Sequence, residues 1–204
     1  MSMSKEQFNS LVELYREEFK SLYATMDRAH GIDHFKRVFN CGVILNNSLP
    51  SKARFDEELI FVVAYTHDIF TGTCRKNHHT LAGEYVRNNA QLFFRQFNPM
   101  EIELIALACE QHRASFKGEF SNLFCELMNS ADRELPVSAK VILDRAIMYR
   151  EDHFPHESKE QVLAESIQHV KDKFGHGGYA RYPNLYERIF KKELDLIRDE
   201  IAQM

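Results

Sequence analysis

Six histidine and aspartate side chains follow one another in an ordered series along the chain: His34, the pair His67-Asp68, His79, His112 and Asp132. Imidazole nitrogens and carboxylate oxygens together bind divalent transition metals such as Mn²⁺, Fe²⁺, Co²⁺, Ni²⁺ or Zn²⁺. The central pair directly follows the apolar run Leu59–Tyr65 and is therefore predicted at the end of a buried helix. Helices that each present one such side chain to a common point form metal sites inside helical bundles.

The apolar period along the chain is helical and predicts the elements that must position these side chains. No stretch of strict alternation between apolar and polar residues is long enough to predict a strand. We therefore expect an all-α fold with about eight or nine helices in a single domain, 1–204. The helices are predicted from residue 4, over 30–47, over 56–68, from 78 to before 99, over 99–112, around 124–132, over 136–150, around 163–174 and around 190–201, with a loop over 69–77.

Three of the candidate ligands lie on apolar faces of separate predicted helices. His34 shares its face with Val38, and His67 shares its face with Val63. Asp132 continues an apolar face in the same way, and a buried carboxylate is costly unless it is paired or binds a metal. The pattern predicts that these side chains hold a metal ion; the alternative is a buried hydrogen bond between histidine and aspartate.

A second ion is predicted from the two remaining histidines. His79 and His112 could complete a second metal site, with Asp68 bridging the two sites. Two ions a few ångströms apart can both hold phosphoryl oxygens and activate water. His78 competes with His79 for this position, so the sequence leaves open whether one or two ions bind.

The whole pattern resembles the HD-domain superfamily of metal-dependent phosphohydrolases. The residues that carry the resemblance are His30–Val38, His67-Asp68 and Asp132-Arg133, followed by His79 with Gly83 as a helix start of the HxxxG type, and by His112. The match covers about residues 27–140, and helices over 155–204 are expected to pack on that core. The resemblance implies that His34, His67, Asp68 and Asp132 are metal ligands. It implies that Asp68, His79 and His112 contribute to catalysis.

The activity implied by this resemblance is hydrolysis of a phosphate ester in a nucleotide or nucleotide-like small molecule by metal-activated water. Some members of the superfamily carry a carboxylate soon after His-Asp, but residues 69–73 contain no acid, which favours the variety that uses His79 and His112. Two alternatives stay open: a di-iron oxygenase that uses O₂, and a non-catalytic module that binds a nucleotide.

Four cationic residues are candidate contacts for the substrate: Arg75, Lys76, Arg113 and Arg133. Each lies beside a candidate ligand or in the loop after the central pair, and arginine suits phosphate oxygens. The alternative is that they are solvated or pair with carboxylates. The glycine- and aromatic-rich segment 176–183 is either a lid or base-stacking loop, or a helix cap followed by a linker.

Composition limits the classes of partner. The net charge of −4 gives no support for binding a nucleic-acid polymer, although a small basic pocket would suffice for a phosphate ester. There is no apolar run long enough for a membrane span. The four cysteines form no CxxC pair, which favours reduced thiols in a cytoplasmic protein. The sequence leaves open whether the protein forms a homo-oligomer.

Overall fold

The computed structural model describes residues 3–26, 30–91 and 97–204 of the chain. Every regular element among these residues is helical, which confirms the predicted all-α fold. The chain divides into two compact units, with the boundary between Leu135 and Pro136. A single domain with C-terminal helices packed on the metal-binding core stays a prediction. None of the described helices combines the length and the apolar character needed to cross a membrane.

The N-terminal unit contains the candidate ligands. Its described helices are α1 (Lys5–Glu18), α2 (Lys20–Tyr23), α3 (Ile32–Ser48), a 3-10 helix (Ser51–Ala53), α4 (Glu57–Thr66), α5 (Thr71–Cys74), α6 (His78–Asn88), α7 (Pro99–Gln111) and α8 (Leu123–Ala131). Sequence signals explain several of the helix starts. Ser4 and Gln7 form the predicted capping box before α1, and Asn98 and Glu101 form another before α7, where Pro99 is the first helical residue.

Helix α4 is the central helix of this unit. All its residues from Leu59 to Thr66 are buried, because α3, α7 and α8 all pack against it. Because other helices enclose α4, its apolar run has no polar face. Burial of each large apolar side chain contributes about 1.5–3 kcal/mol, so the packing places the end of α4 firmly.

An aromatic cluster joins α1, α3 and α4 on the side where His34 and His67 follow. The ring of Tyr65 in α4 packs against Phe35 in α3, with ring centroids 4.7 Å apart. Phe61, one turn earlier in α4, packs edge-on against Phe35 at 5.2 Å and against Tyr15 of α1 at 5.6 Å. Since Phe35 adjoins His34 in the chain, this cluster fixes α3 against α4 close to the histidine.

The described helices differ from the predicted ones in several places, and α11 begins at Asn184, earlier than predicted. The nine long helices (α1, α3, α4 and α6–α11) correspond to the predicted set, whereas the four-residue helices α2 and α5 were not predicted. Helix α5 lies within the expected loop over 69–77. Helix α6 ends at Asn88 instead of just before Pro99, and residues 92–96 lie outside the described part of the chain.

The C-terminal unit consists of three helices: α9 (Ala139–His153), α10 (Lys159–Phe174) and α11 (Asn184–Ala202). A small apolar core joins Ala139, Val170, Ile197 and Ile201. The segment 176–183 connects α10 to α11. The backbone N–H groups of Tyr179 and Ala180 donate to the carbonyls of Asp172 and Lys173 at the end of α10. The segment therefore caps α10, which is the simpler of its two predicted roles.

All four cysteines are free thiols, and Cys41, Cys109 and Cys125 are buried. Burial raises the pKa of Cys41 and of Cys109 to about 12. Both side chains are therefore protonated and serve as small apolar groups of the core, as the spacing of the cysteines predicts.

Candidate metal centre

Four of the predicted ligands converge on one point. Nε2 of His34 lies 3.2 Å from Oδ1 of Asp132 and 3.5 Å from Oδ2 of Asp68. Nε2 of His67 lies 3.4 Å from the same oxygen of Asp132 and 3.3 Å from that of Asp68. The two imidazole nitrogens are 3.4 Å apart. These four side chains, here called the first group, are placed as ligands of one ion would be.

The spacing of these atoms fits a metal ion better than a set of ordinary hydrogen bonds. With metal–ligand bonds of about 2.1 Å, neighbouring ligand atoms lie about 3.0 Å apart in octahedral and about 3.4 Å apart in tetrahedral coordination. The distances from 3.2 to 3.5 Å in the first group fall at this spacing. They are longer than usual hydrogen bonds, whose donor and acceptor are about 2.9 Å apart.

A second group lies on the other side of the Asp68 carboxylate. Oδ1 of Asp68 is 3.2 Å from Nε2 of His78 and 3.3 Å from Nε2 of His112, and these two nitrogens are 3.1 Å apart. Asp68, His78 and His112 form this second group. Since Oδ2 faces the first group and Oδ1 the second, Asp68 lies as a bridging carboxylate must.

Each of the four histidines is held by its other ring nitrogen. Nδ1 of every ring is within hydrogen-bonding distance of an acceptor, which favours a proton on Nδ1 and leaves the Nε2 lone pair to face the cluster. The acceptors are Oε1 of Glu134 for His34 (2.9 Å), the carbonyls of Val63 and Ala64 for His67 (3.2 and 3.0 Å), that of Arg75 for His78 (2.8 Å) and that of Cys109 for His112 (2.6 Å). Two pairs of Nε2 atoms face each other at 3.4 and 3.1 Å, an arrangement that a shared cation would stabilise.

Helix ends supply three of the ligands. His67 is the C-cap residue of α4, His112 that of α7, and Asp132 that of α8. The C-terminal end of a helix carries a partial negative charge that favours cations. At the end of α4 the chain turns, and the N–H of Thr71 donates to the Asp68 carbonyl. This turn lets the adjacent residues His67 and Asp68 reach the same point, as the sequence predicts.

Ionisation differs between the two groups. Burial alone would lower the pKa of His34 and of His67, but the neighbouring carboxylates outweigh it and raise both pKa values. Burial would raise the pKa of Asp68 and of Asp132, but the histidines hold both well below the usual range. Burial lowers the pKa of His112 despite its hydrogen bond with Asp68. Protons therefore compete with a metal for the first group, whereas His112 is neutral at neutral pH.

We expect metal binding at the first group to weaken as the pH falls. A raised pKa means that His34 and His67 take up protons at a higher pH than an ordinary histidine, and each proton displaces a ligand. Titration with Mn²⁺ or Co²⁺ between about pH 8 and about pH 5.5 should show a steady loss of affinity for the ion at the first group. An affinity that does not change over this range would contradict the assignment of these nitrogens as ligands.

The structure corrects the prediction that His79 is a ligand. Helix α6 begins at His78, which is buried against the cluster, and the next residue of a helix points about 100° away. His79 is therefore only half-buried and belongs to neither group, and its Nδ1 makes no hydrogen bond within the described structure. Burial and the charge of Arg113 lower its pKa, so its ring is neutral at neutral pH. A catalytic role for His79 stays a prediction.

The adjacent pair His78 and His79 offers a matched test. We expect His78→Ala to remove one of two metal equivalents, because the second group would keep only two protein ligands. His79→Ala, one position further along the same helix, should leave both equivalents bound. Elemental analysis of the purified, metal-supplied variants measures the difference. Equal stoichiometry in the two variants would reject His78 as a ligand.

Glu134 is the functional residue that sequence reasoning missed. Its Oε1 lies 2.9 Å from Nδ1 of His34 and accepts a hydrogen bond of 2.7 Å from Nε of Arg37. Burial would raise the pKa of Glu134, but these two partners lower it, so the side chain is a carboxylate. The only signal in the sequence is its position two residues after Asp132.

Two of the candidate substrate contacts, Arg75 and Arg113, are connected to the segment that holds His78 of the second group. Nη1 of Arg113 donates to the carbonyl of Lys76 at 2.9 Å, and the carbonyl of Arg75 accepts from His78. Arg75 and Lys76 are exposed, and Arg113 is half-buried. Nη2 of Arg133 donates to Oδ1 of Asn129 at 3.1 Å. The main chain of the 75–76 segment thus supports the second group, and binding of substrate by all four cations stays a prediction.

Comparison of the chain with protein-family models, curated proteins and solved structures found no match. The function is therefore inferred from the geometry of the two groups and from the order of their residues in the sequence. Both lead to the same ligands except at one position, where the geometry places His78 and the sequence predicts His79.

Proposed function

We propose that this chain is a metal-dependent phosphohydrolase of the HD-domain type that acts on a phosphate ester of a nucleotide or a similar small molecule. The observation that carries the proposal is the pair of ligand groups joined by Asp68, in which four imidazoles turn their Nε2 atoms toward two carboxylates. The order of His34, His67-Asp68 and Asp132 along the chain resembles the signature of that superfamily and supports the same conclusion.

The ligand count of the second group favours a catalytic metal over a structural one. Structural zinc sites are closed by four protein ligands, whereas catalytic sites keep a position for water or substrate. The second group offers three protein ligands. In the first group, the Asp132 side chain is 18% exposed, so the cluster is accessible from solvent. A six-coordinate ion such as Mn²⁺ would leave open positions in both groups.

The residues of the chain would have the following roles in the reaction. Ions bound in the two groups would lower the pKa of a coordinated water and polarise a phosphoryl group. Asp68 keeps the two groups adjacent through its two oxygens, and the carbonyls that hold Nδ1 of His67, His78 and His112 fix the ligand geometry. Arg113, which donates to the Lys76 carbonyl two residues before His78, and the exposed Lys76 side chain would supply positive charge for the phosphate oxygens.

A substrate screen tests the proposal. Nucleoside mono-, di- and triphosphates and cyclic nucleotides are incubated with the protein and Mn²⁺, Co²⁺, Ni²⁺ or Mg²⁺, and free phosphate, pyrophosphate and nucleoside are measured. The same screen with Asp68→Asn identifies any contaminating phosphatase. Release that depends on Asp68 supports hydrolysis. A protein that binds both metal and nucleotide but releases no product above that variant would instead be a binding module.

A di-iron oxygenase is the second candidate, and the shared Asp68 carboxylate is the observation that favours it. Four histidines and two aspartates in two adjacent groups form a ligand set that iron also accepts. The two candidates differ in their need for oxygen. Product release without O₂ in the presence of Mn²⁺ supports hydrolysis. Consumption of O₂ by the Fe²⁺-loaded protein, lost in Asp68→Asn, would support the oxygenase.

A further inference from the structure

Glu134 has an unusual backbone conformation for its residue type. Its φ of 60° makes it the only non-glycine residue with a positive φ in the described part of the chain. Side chains other than glycine, and to a lesser degree asparagine and aspartate, are strained in this left-handed region. The residue lies three positions after Ala131, the last residue of α8, and its N–H donates to the carbonyl of Ala131. A strained residue of this kind persists where its surroundings compensate for the strain.

The compensation comes from the Glu134 side chain, which is 11% exposed. One of its oxygens, Oε1, contacts both Nδ1 of His34 and Nε of Arg37. These two residues lie three positions apart on the same side of α3. The carboxylate thus links the end of α8 to α3 beside the first group.

Each nitrogen of the His34 ring faces a carboxylate from the turn that follows α8. Oδ1 of Asp132 lies 3.2 Å from Nε2, and Oε1 of Glu134 lies 2.9 Å from Nδ1. In a continuing helix, side chains two positions apart would point about 200° apart. The left-handed conformation of Glu134 ends the helical path at this point and brings its carboxylate to the other edge of the ring.

We propose that Glu134 is a positioning residue that holds the proton of His34 on Nδ1 and turns Nε2 toward the ion of the first group. This inference rests on the metal site of the proposed function, but it does not depend on the reaction that the site catalyses. It also explains why a glutamate occupies a position where glycine would be less strained: the hydrogen bond to His34 requires a side chain.

Three substitutions in the full-length chain separate the side chain from the backbone. Glu134→Ala removes the carboxylate and retains the strain, Glu134→Gly removes both, and Glu134→Gln keeps an oxygen that accepts from Nδ1. Affinity for the ion at the first group should fall about 10–100-fold in the Ala and Gly variants. The Gln variant should bind within a few-fold of the unmutated protein. Titration with Mn²⁺ or Co²⁺ and thermal unfolding without metal are the two measurements.

Thermal unfolding gives a readout besides activity. The Gly variant should unfold at a temperature at least as high as that of the Ala variant, because only the Gly variant relieves the strain at φ 60°. Metal bound by the second group should be unaffected, since Glu134 contacts His34, a ligand of the first group. If the Glu134→Ala variant fails to fold, the Gly variant still tests the affinity for the ion at the first group.

Two results would overturn the positioning role. One is unchanged affinity at the first group in the Gly variant. The other is a Gln variant as impaired as the Gly variant, since it keeps the hydrogen-bond acceptor. Failure of the proposed reaction looks different: affinities would follow the expected order while no phosphate ester is cleaved by any variant or by the unmutated protein.

Discussion

Replacement of Asp68 by alanine should weaken metal binding in both groups at once, with loss of the second metal equivalent, and reduce turnover on the order of 10³-fold, the size expected when a main source of transition-state charge stabilisation is lost. No other ligand has this effect, because Asp68 alone gives one oxygen to each group. The remaining ligands would be three side chains in the first group and two in the second. Elemental analysis and steady-state rates measure the two effects.

The fold should survive this substitution. Asp68 is held in the cluster by histidines. Its removal takes away these favourable contacts, but it also takes away the desolvation cost of a buried carboxylate. Circular dichroism should therefore report an unchanged helical content. Asp152→Ala, at an exposed position of α9, is the control for loss of an aspartate as such. Retention of both metal equivalents at unchanged affinity in Asp68→Ala would show that Asp68 does not bridge the two groups.

Periodicity in the sequence indicates the direction of three side chains of the first group. His34 lies on the buried face of α3, and Asp132, the C-cap residue, continues the buried face of α8, so the 3.6-residue period indicates that both point inward. His67 follows a helix with no polar face at all, and such a helix has to be central. Asp68 is assigned to the group only through the resemblance to the HD-domain superfamily, because adjacent residues of a helix point about 100° apart.

The second group depends on details that periodicity does not contain. Whether His78 or His79 faces the cluster is decided by the residue at which α6 begins and by the turn of the short helix α5 before it. A shift of one residue rotates the helix face by about 100°. The role of Glu134 depends on a left-handed backbone, which the sequence signals only when glycine or asparagine occupies the position.

Close packing of α6 on α7 positions the two histidines of the second group. Gly83 lies on the buried side of α6, five residues after His78. A Cβ atom at Gly83 would lie 2.9 Å from the carbonyl oxygen of Ala106 in α7 and 2.6 Å from Cγ of Glu110. The glutamate side chain can turn away, but the carbonyl belongs to a helix and cannot. The two helices approach this closely only because residue 83 has no side chain.

Gly83→Val should therefore move His78 away from the other ligands of the second group without disturbing the first group. An ordinary contact between a Cβ atom and a carbonyl oxygen is about half an ångström longer than the 2.9 Å available at Gly83. Metal–ligand distances tolerate only about 0.2 Å, so a displacement of α6 of that size would move His78 out of range. We expect one metal equivalent to be lost and overpacking to lower the free energy of unfolding by about 1–3 kcal/mol. Elemental analysis and thermal or chemical unfolding measure these effects.

Helix propensity does not account for the expected loss of stability and of one metal equivalent. A substitution at the neighbouring position tests this. Valine is somewhat better than glycine inside a helix, so propensity alone would stabilise Gly83→Val slightly. Glu84→Val introduces the same side chain at the next position, which is exposed, and should retain both metal equivalents. If Gly83→Val also retained both, the helices could separate without moving His78 from His112. The second group would then depend on the turn before α6 and not on the packing of α6 against α7.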